Sequence, residues 1–116
     1  MTQETSREIR SEITSEGKLH ISIATVEKPT PKEDEVLIKV EAAPINPSDL
    51  ALLVSFASDP TTLSVSGSGN ETVATMDIHK GLMKAMTPRL DQSMQVGNEG
   101  AGVVEAAGAD AQHHIG

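Results

Sequence analysis

The chain has 116 residues, 37% of them hydrophobic, with a single aromatic (Phe56), no cysteine and a formal charge of −8. Its length suits one domain, whose thin core must be built from Val, Ile, Leu, Ala and Met because the aromatics that normally dominate cores are missing. The acidic balance repels phosphate backbones and anionic lipid, so neither nucleic acid nor a membrane surface is an expected partner. Without thiols there is no disulfide, no thiolate catalysis and no cysteine-ligated zinc.

The N-terminal stretch Met1-Thr2-Gln3-Glu4-Thr5-Ser6-Arg7-Glu8 lacks the basic-then-apolar layout of a signal peptide, and no apolar run is long enough to span a bilayer. A cytoplasmic location is therefore expected, and the sequon Asn70-Glu71-Thr72 carries no meaning there. Residues 9–43 read as β. Leu19-His20-Ile21-Ser22-Ile23-Ala24 alternates in the manner of a strand with one face buried. Pro29 and Pro31 then force an extended crossing, and Val36-Leu37-Ile38-Lys39-Val40-Glu41-Ala42 is the clearest strand, with Val36, Ile38, Val40 and Ala42 on one face. Ala43-Pro44-Ile45-Asn46-Pro47 breaks it, and Ser48 or Asp49 is placed to cap one helical turn through Leu53.

Residues 55–75, rich in Ser, Thr, Gly and Asn, read as an exposed loop within an irregular insertion over 54–92. Ile78, Leu82, Met83 and Met86 recur at helical spacing, which predicts a short amphipathic helix over 78–86, ended by Pro88. The methionines are expected as core filler rather than a binding surface. From Met94 to Gly108 the chain is Gly-rich and then β-like. The expected fold class is mainly β, a small barrel or sandwich with one or two short helices.

Few segments carry chemistry. Gly97, Gly100 and Gly102 follow the order G-x-x-G-x-G, the reverse of the dinucleotide fingerprint, and Val103-Val104 continues as a strand where that fingerprint opens a helix. A tight bend or bulge is the expected use of these glycines. No phosphate loop and no nucleophile elbow occurs. His20, His79, His113 and His114 lack metal-ligand spacing, and the adjacent His113 and His114 are expected to point apart. Glu33-Asp34-Glu35 reads as a solvated turn.

Two segments remain. Pro31 to Leu50, with Glu35-Val36-Leu37-Ile38-Lys39-Val40-Glu41-Ala42-Ala43 and Ile45-Asn46-Pro47-Ser48-Asp49-Leu50, resembles the N-terminal part of the medium-chain dehydrogenases/reductases. Val96-Gly97-Asn98-Glu99-Gly100-Ala101-Gly102-Val103-Val104 resembles the Gly-rich strand that follows in that family, in the right order. With the strands before them the two segments cover most of the chain, and residues 54–92 fit poorly. Zinc-dependent members place a cysteine ligand at Asn46 and a histidine ligand at Asn98, so the resemblance selects the zinc-independent quinone oxidoreductase and enoyl reductase branch and implies no zinc.

In that branch the resemblance implies a GroES-like barrel packed against a Rossmann domain of the same polypeptide, which this chain lacks. NADPH or NADH would serve the parent protein, with none bound to this fragment, and hydride would pass to a quinone or enone. The resemblance further implies that Asn46 donates its amide to cofactor or substrate, that Ser48 bonds substrate or relays a proton, and that Asp49 orients the loop. Asn98 and Glu99 are candidates for cleft contact or for structural hydrogen bonds. The same Asn-Pro-Ser-Asp is also an ordinary Asx-turn and helix cap. The fragment is expected to be inactive alone. The alternative is a stand-alone GroES-like module whose insertion forms a partner or self-association surface, a homodimer among its forms, through the methionines and Leu82.

Overall fold

Alternation of apolar and polar residues at period two dominates the sequence, and the structure answers with strands. The computed structural model describes residues 4–115. The chain is mainly β, with seven strands, one short α-helix and a few 3₁₀ turns among the described residues. The strands are β1 (Thr5–Ile13), β2 (Lys18–Glu27), β3 (Val36–Ala42), β4 (Ser58–Ser66), β5 (Val73–Ile78), β6 (Met94–Gln95) and β7 (Ala101–Ala107); the helix is α1 (Pro47–Leu53). They form a five-stranded sheet ordered β4-β5-β2-β1-β6 and a separate two-stranded sheet, β3-β7. The chain divides accordingly into two interleaved units. The larger holds Thr5–Val26 and Asn46–Val96; the smaller holds the described residues of Met1–Glu4, Glu27–Ile45 and Gly97–Gly116.

In the larger unit, β1 turns into β2 at Gly17, whose φ of +85° suits a residue without a side chain, and Thr14 and Lys18 close the turn through a 2.8 Å backbone bond. β2 runs antiparallel to β5 with Leu19 opposite Met76 and Ile21 opposite Ala74. That register puts Leu19 and Met76 on the same face as Ile78. With Ile13, Ala57 and Met86 they make the buried core, against which Ile21, Leu82, Met83 and Leu90 pack. Met76 and Met86 thus lie in the core, and Leu82 and Met83 pack against it.

Two sequence expectations are corrected in this unit. Residues 55–75 are not a loop, because β4 and the start of β5 lie within them and pair antiparallel, with Ser64 opposite Thr75 and Val65 opposite Ala74. The period-two signal of Leu63-Ser64-Val65-Ser66 is faint because its polar positions are small hydroxyls and both faces of the segment are wet. Nor is there a helix over 78–86. Ile78 ends β5 opposite Ser58, and two 3₁₀ segments, Lys80–Leu82 and Lys84–Arg89, follow. Met83 and Met86 satisfy a period of three as readily as 3.6, and the 3.0 Å bond from the Met86 N–H to the Met83 carbonyl is of the 3₁₀ type.

In the smaller unit β3 spans Val36–Ala42, as the sequence predicts, and pairs antiparallel with β7. Two register shifts interrupt the ladder, leaving Glu105 unpaired on β7 between Val104 and Ala106, and Glu41 unpaired on β3 between Val40 and Ala42. Gly102 belongs here because a Cβ on it would lie 1.9 Å from the Lys39 carbonyl oxygen. Lys28 bonds to the extra residue Glu105 and, at 2.6 Å, to Glu4, while its backbone N–H donates to the Glu4 carbonyl at 3.1 Å. The bond to Glu105, with that to Glu4 next, raises the Lys28 ammonium above its ordinary value; Lys28 in turn lowers the Glu4 carboxyl. Ile38 and Val40, on the face expected to be apolar, are about half exposed.

Two outcomes follow. Leu19→Ala removes a fully buried side chain opposite Met76 and is expected to lower stability by about 2–5 kcal/mol in urea unfolding. The Lys28–Glu4 link is complete above the ordinary carboxyl value of 4.5 and below the ordinary ammonium value of 10.5. Because the Glu4 value is lowered and that of Lys28 raised, the link is lost as pH falls through the first or climbs through the second. NMR titration of the Lys28 backbone amide is expected to move at both extremes and stay flat near neutrality. Added salt is expected to weaken the link, since the side chains are partly solvated.

Candidate functional site

Asn46-Pro47-Ser48-Asp49 opens α1 for reasons local to those residues. Pro47 lacks an N–H and has a fixed φ, which suits the first helical position. Asn46 stays extended at φ −95°, ψ 160° and serves as the N-cap. Asp49 accepts the Asn46 backbone N–H at 2.8 Å, and the Asp49 N–H donates to the Asn46 carbonyl at 2.9 Å, within a capping box. Asp49 is only 6% exposed, so its carboxylate faces its own backbone rather than solvent. Asp49 thereby holds the first turn of α1 through the Asn46 backbone. Ser48, by contrast, is exposed on the first turn, and Asn46 is half-buried.

The far end of α1 is also held, by residues that the sequence did not single out. Ser11 on β1 is fully buried and donates its hydroxyl to the Leu52 carbonyl at 2.5 Å. Arg89 Nη2 reaches the Ser11 Oγ at 3.3 Å and the same Leu52 carbonyl at 3.4 Å. Burial lowers the Arg89 guanidinium from its ordinary value of 12.5, yet an arginine remains charged. A cation there complements the carbonyl end of the helix. A signal was present in the sequence: Ser11 lies between Ile9 and Ile13 at strand spacing, and a hydroxyl on an inward face needs a partner.

Asn98 and Glu99 lie in the smaller unit, both exposed, between Gly97 and Gly100 just before β7. Gly97 has φ +100°, a conformation that side chains disfavour, and a Cβ on Gly100 would sit 3.3 Å from Val40 Cγ1. The glycines therefore make a bend and a close strand approach, as expected, and lead into a strand. Because Ala42 pairs with Ala101, residues 43–45 and 97–100 leave the same end of the β3-β7 hairpin. Asn46, Ser48 and Asp49 form one local group; Asn98 and Glu99 form another, in a different unit.

The remaining sequence candidates are peripheral. Glu33, Asp34 and Glu35 are exposed, and Glu35 accepts the Lys32 N–H at 2.9 Å, which makes them a solvated turn. His113 and His114 correct an expectation, because their rings do not diverge. On the 3₁₀ segment Ala109–His114 their centroids lie 4.0 Å apart with the planes tilted by 41°. Among the described residues, no three His, Cys, Asp or Glu side chains converge where a metal ion could sit. A shallow cleft of about 260 Å³ in the larger unit is lined by Glu16, Gly17, Lys18, Asp77, Lys80 and Met83, among others, and includes no expected site residue. No described helix is long and apolar enough to cross a membrane.

A dinucleotide needs a Gly-rich turn from strand to helix that aims free amides at its pyrophosphate. Here the Gly-rich bend leads into β7, and the buried Asp49 carboxylate already occupies the amide end of α1. The described residues do not fit that group. No family model matches the chain, and no curated protein sequence matches it.

Asp49→Ala is expected to cost about 1–2 kcal/mol by urea unfolding, since it removes the capping-box carboxylate that accepts the Asn46 backbone N–H. Asp49→Asn keeps an acceptor oxygen, and more of the stability is expected to survive.

Proposed function

We propose that this chain is the GroES-like, substrate-side domain of a zinc-independent NAD(P)H-dependent reductase that acts on quinones or enones by hydride transfer. The observation that carries this reading is the β3-β7 ladder. Each of the two segments that resemble the medium-chain reductases contributes one strand of it, and Ala42 pairs with Ala101 across more than fifty intervening residues. A chance resemblance of two separate segments has no reason to become one hairpin.

Cofactor binding is assigned to polypeptide outside these residues, because no described residue here fits a pyrophosphate. What this chain contributes is the acceptor side. On this reading the Ser48 hydroxyl donates a hydrogen bond to a substrate carbonyl; its exposure, on a helix held by Asn46 and Asp49 at one end and by Ser11 and Arg89 at the other, supports that role. The Asn46 side-chain amide supplies a neighbouring polar group, and Asp49 acts only through the backbone it holds.

Reading the coding sequence past Gly116 tests the assignment directly: a further strand followed by G-x-G-x-x-G supports it, and a stop codon sinks it. The 116 residues alone are expected to show no NADPH oxidation with quinones. In the longer protein, Ser48→Ala is expected to lower kcat/KM by about tenfold, the worth of one hydrogen bond. Asp49→Asn is expected to change activity less than Ser48→Ala does.

A further inference from the structure

Asp59-Pro60 is the only Asp-Pro pair in the sequence. An aspartate can close on its own main-chain carbonyl carbon as a cyclic anhydride, and proline suits that step because its tertiary amide releases a basic secondary amine. In β4 this bond sits where the ladder to β5 is interrupted. Ser58 and Asp59 pair with Ile78 and Asp77, and pairing resumes at Ser64 opposite Thr75. Pro60 and Thr61, in the gap, are exposed.

Hydrogen bonds converge on the dipeptide from both sides. Asp59 Oδ1 accepts the Thr61 hydroxyl at 2.6 Å and the Thr61 N–H at 3.0 Å, an Asx turn that folds the carboxylate back along the 59–60 peptide. The Thr62 hydroxyl accepts the Asp77 N–H at 2.7 Å and donates to the Asp59 carbonyl oxygen at 2.6 Å. An amide N–H can only donate and a carbonyl can only accept, so the hydroxyl proton is committed to Asp59. That carbonyl belongs to the Asp59-Pro60 bond, and a fixed donor on it stabilises the oxyanion that attack would create.

We propose that the Asp59-Pro60 bond is a self-cleavage site, cut in mild acid by the Asp59 carboxylate with the Thr62 hydroxyl as oxyanion donor. A carboxylate oxygen bonds to the Asp59 carbonyl carbon while Thr62 holds the charge that develops on the carbonyl oxygen. The carbon–nitrogen bond to Pro60 then breaks, and the nitrogen takes a proton from solvent, which reaches the exposed ring. Water opens the anhydride, leaving Asp59 with side-chain and main-chain carboxyl groups and Pro60 with a free secondary amine. The net reaction is hydrolysis; nothing is oxidised or reduced.

The step needs an ionised carboxylate in an acid medium. The Thr61 hydroxyl, and then its N–H, hold the Asp59 carboxyl below its ordinary value of 3.8, and the charge of His79 acts in the same direction. Asp77 stands opposite on β5, and Lys18 on β2 pairs with it and offsets its charge. Both sides of the cut remain paired with β5, and the β2-β5 and β3-β7 ladders each join one piece to the other. The product is a nicked chain that stays assembled. The inference is independent of the reductase assignment, since no residue of α1 or of the β3-β7 hairpin enters the reaction.

The test incubates the 116-residue chain at the lowest pH that leaves its far-ultraviolet spectrum native, with cleavage followed by denaturing mass spectrometry. Fragments Met1–Asp59 and Pro60–Gly116 are expected to accumulate. At the same pH, the chain unfolded in urea is expected to be cut about tenfold more slowly, because the carboxylate is no longer held against its target. Thr62→Val is expected to slow the folded chain about tenfold and leave the rate in urea unchanged. Asp59→Glu, which lengthens the ring to be closed, and Pro60→Ala are expected to stay intact. No cut at this bond, a cut as fast in urea as in the folded chain, a folded Thr62→Val cut at the original rate, or undiminished cleavage in Asp59→Glu would each overturn the proposal. If Thr62→Val does not fold, the comparison with urea decides.

Discussion

Placing Leu19 opposite Met76 across β2 and β5 constrains the larger unit more than any other contact. Side chains alternate along a strand, so this one register decides that Ile78 and Met76 point the same way and that Leu19 and Ile21 meet them from the neighbouring strand. A slip of one residue would turn the apolar set to solvent and bury His20 and Thr75 instead. With aromatics absent from the interior, methionine takes the irregular space that larger rings would otherwise fill. Met76 and Met86 are buried and Met83 packs beside them. The helix α1 depends on the same sheet, because Ser11 on β1 and Arg89 after the core methionines hold its last turn.

The smaller unit is organised by a different constraint, close backbone approach. Gly102 admits the Lys39 carbonyl to a distance that no side chain tolerates, and the register shifts on either side set Glu105 and Glu41 out of the ladder. One of these displaced residues finds a purpose, since Glu105 meets Lys28 and ties β7 to the segment that precedes β3. A two-stranded sheet gains little stability by itself. Here the bulge, the ion pair and the bond from the Gly108 N–H to the Glu35 carbonyl at 2.9 Å supply additional ties.

How much of this was legible before the fold was known depends on how local each cause is. The strand Val36–Ala42, the bend at Gly97 and the core role of Met76 and Met86 follow from alternation, glycine geometry and side-chain chemistry, whereas the cap expected at Ser48 or Asp49 falls at Asn46, because Pro47 already takes the first helical position and Asp49 becomes the capping-box partner. β4 was missed because a strand with both faces wet shows almost no contrast between its apolar and hydroxyl positions. The helix expected over 78–86 failed because three- and four-residue spacings of apolar groups also fit 3₁₀ turns, and β5 claimed Ile78. The anchoring of α1 by Ser11 and Arg89 joins residues far apart in the chain, and no local pattern announces it.

The small core, the absence of aromatic and thiol chemistry, the mainly β class and the local turn that presents Ser48 were thus determined by composition and short-range pattern alone. Tertiary structure decided which strands pair, which polar residues become buried anchors and which edge stays open. The reason is physical: propensities and caps act within a few residues, whereas register, burial and edge exposure are set by partners that only the folded chain brings into contact. Asp49 shows both levels at once. Its capping spacing is readable in four consecutive residues, but that its carboxylate is buried, and so unavailable to a ligand, is a property of the fold.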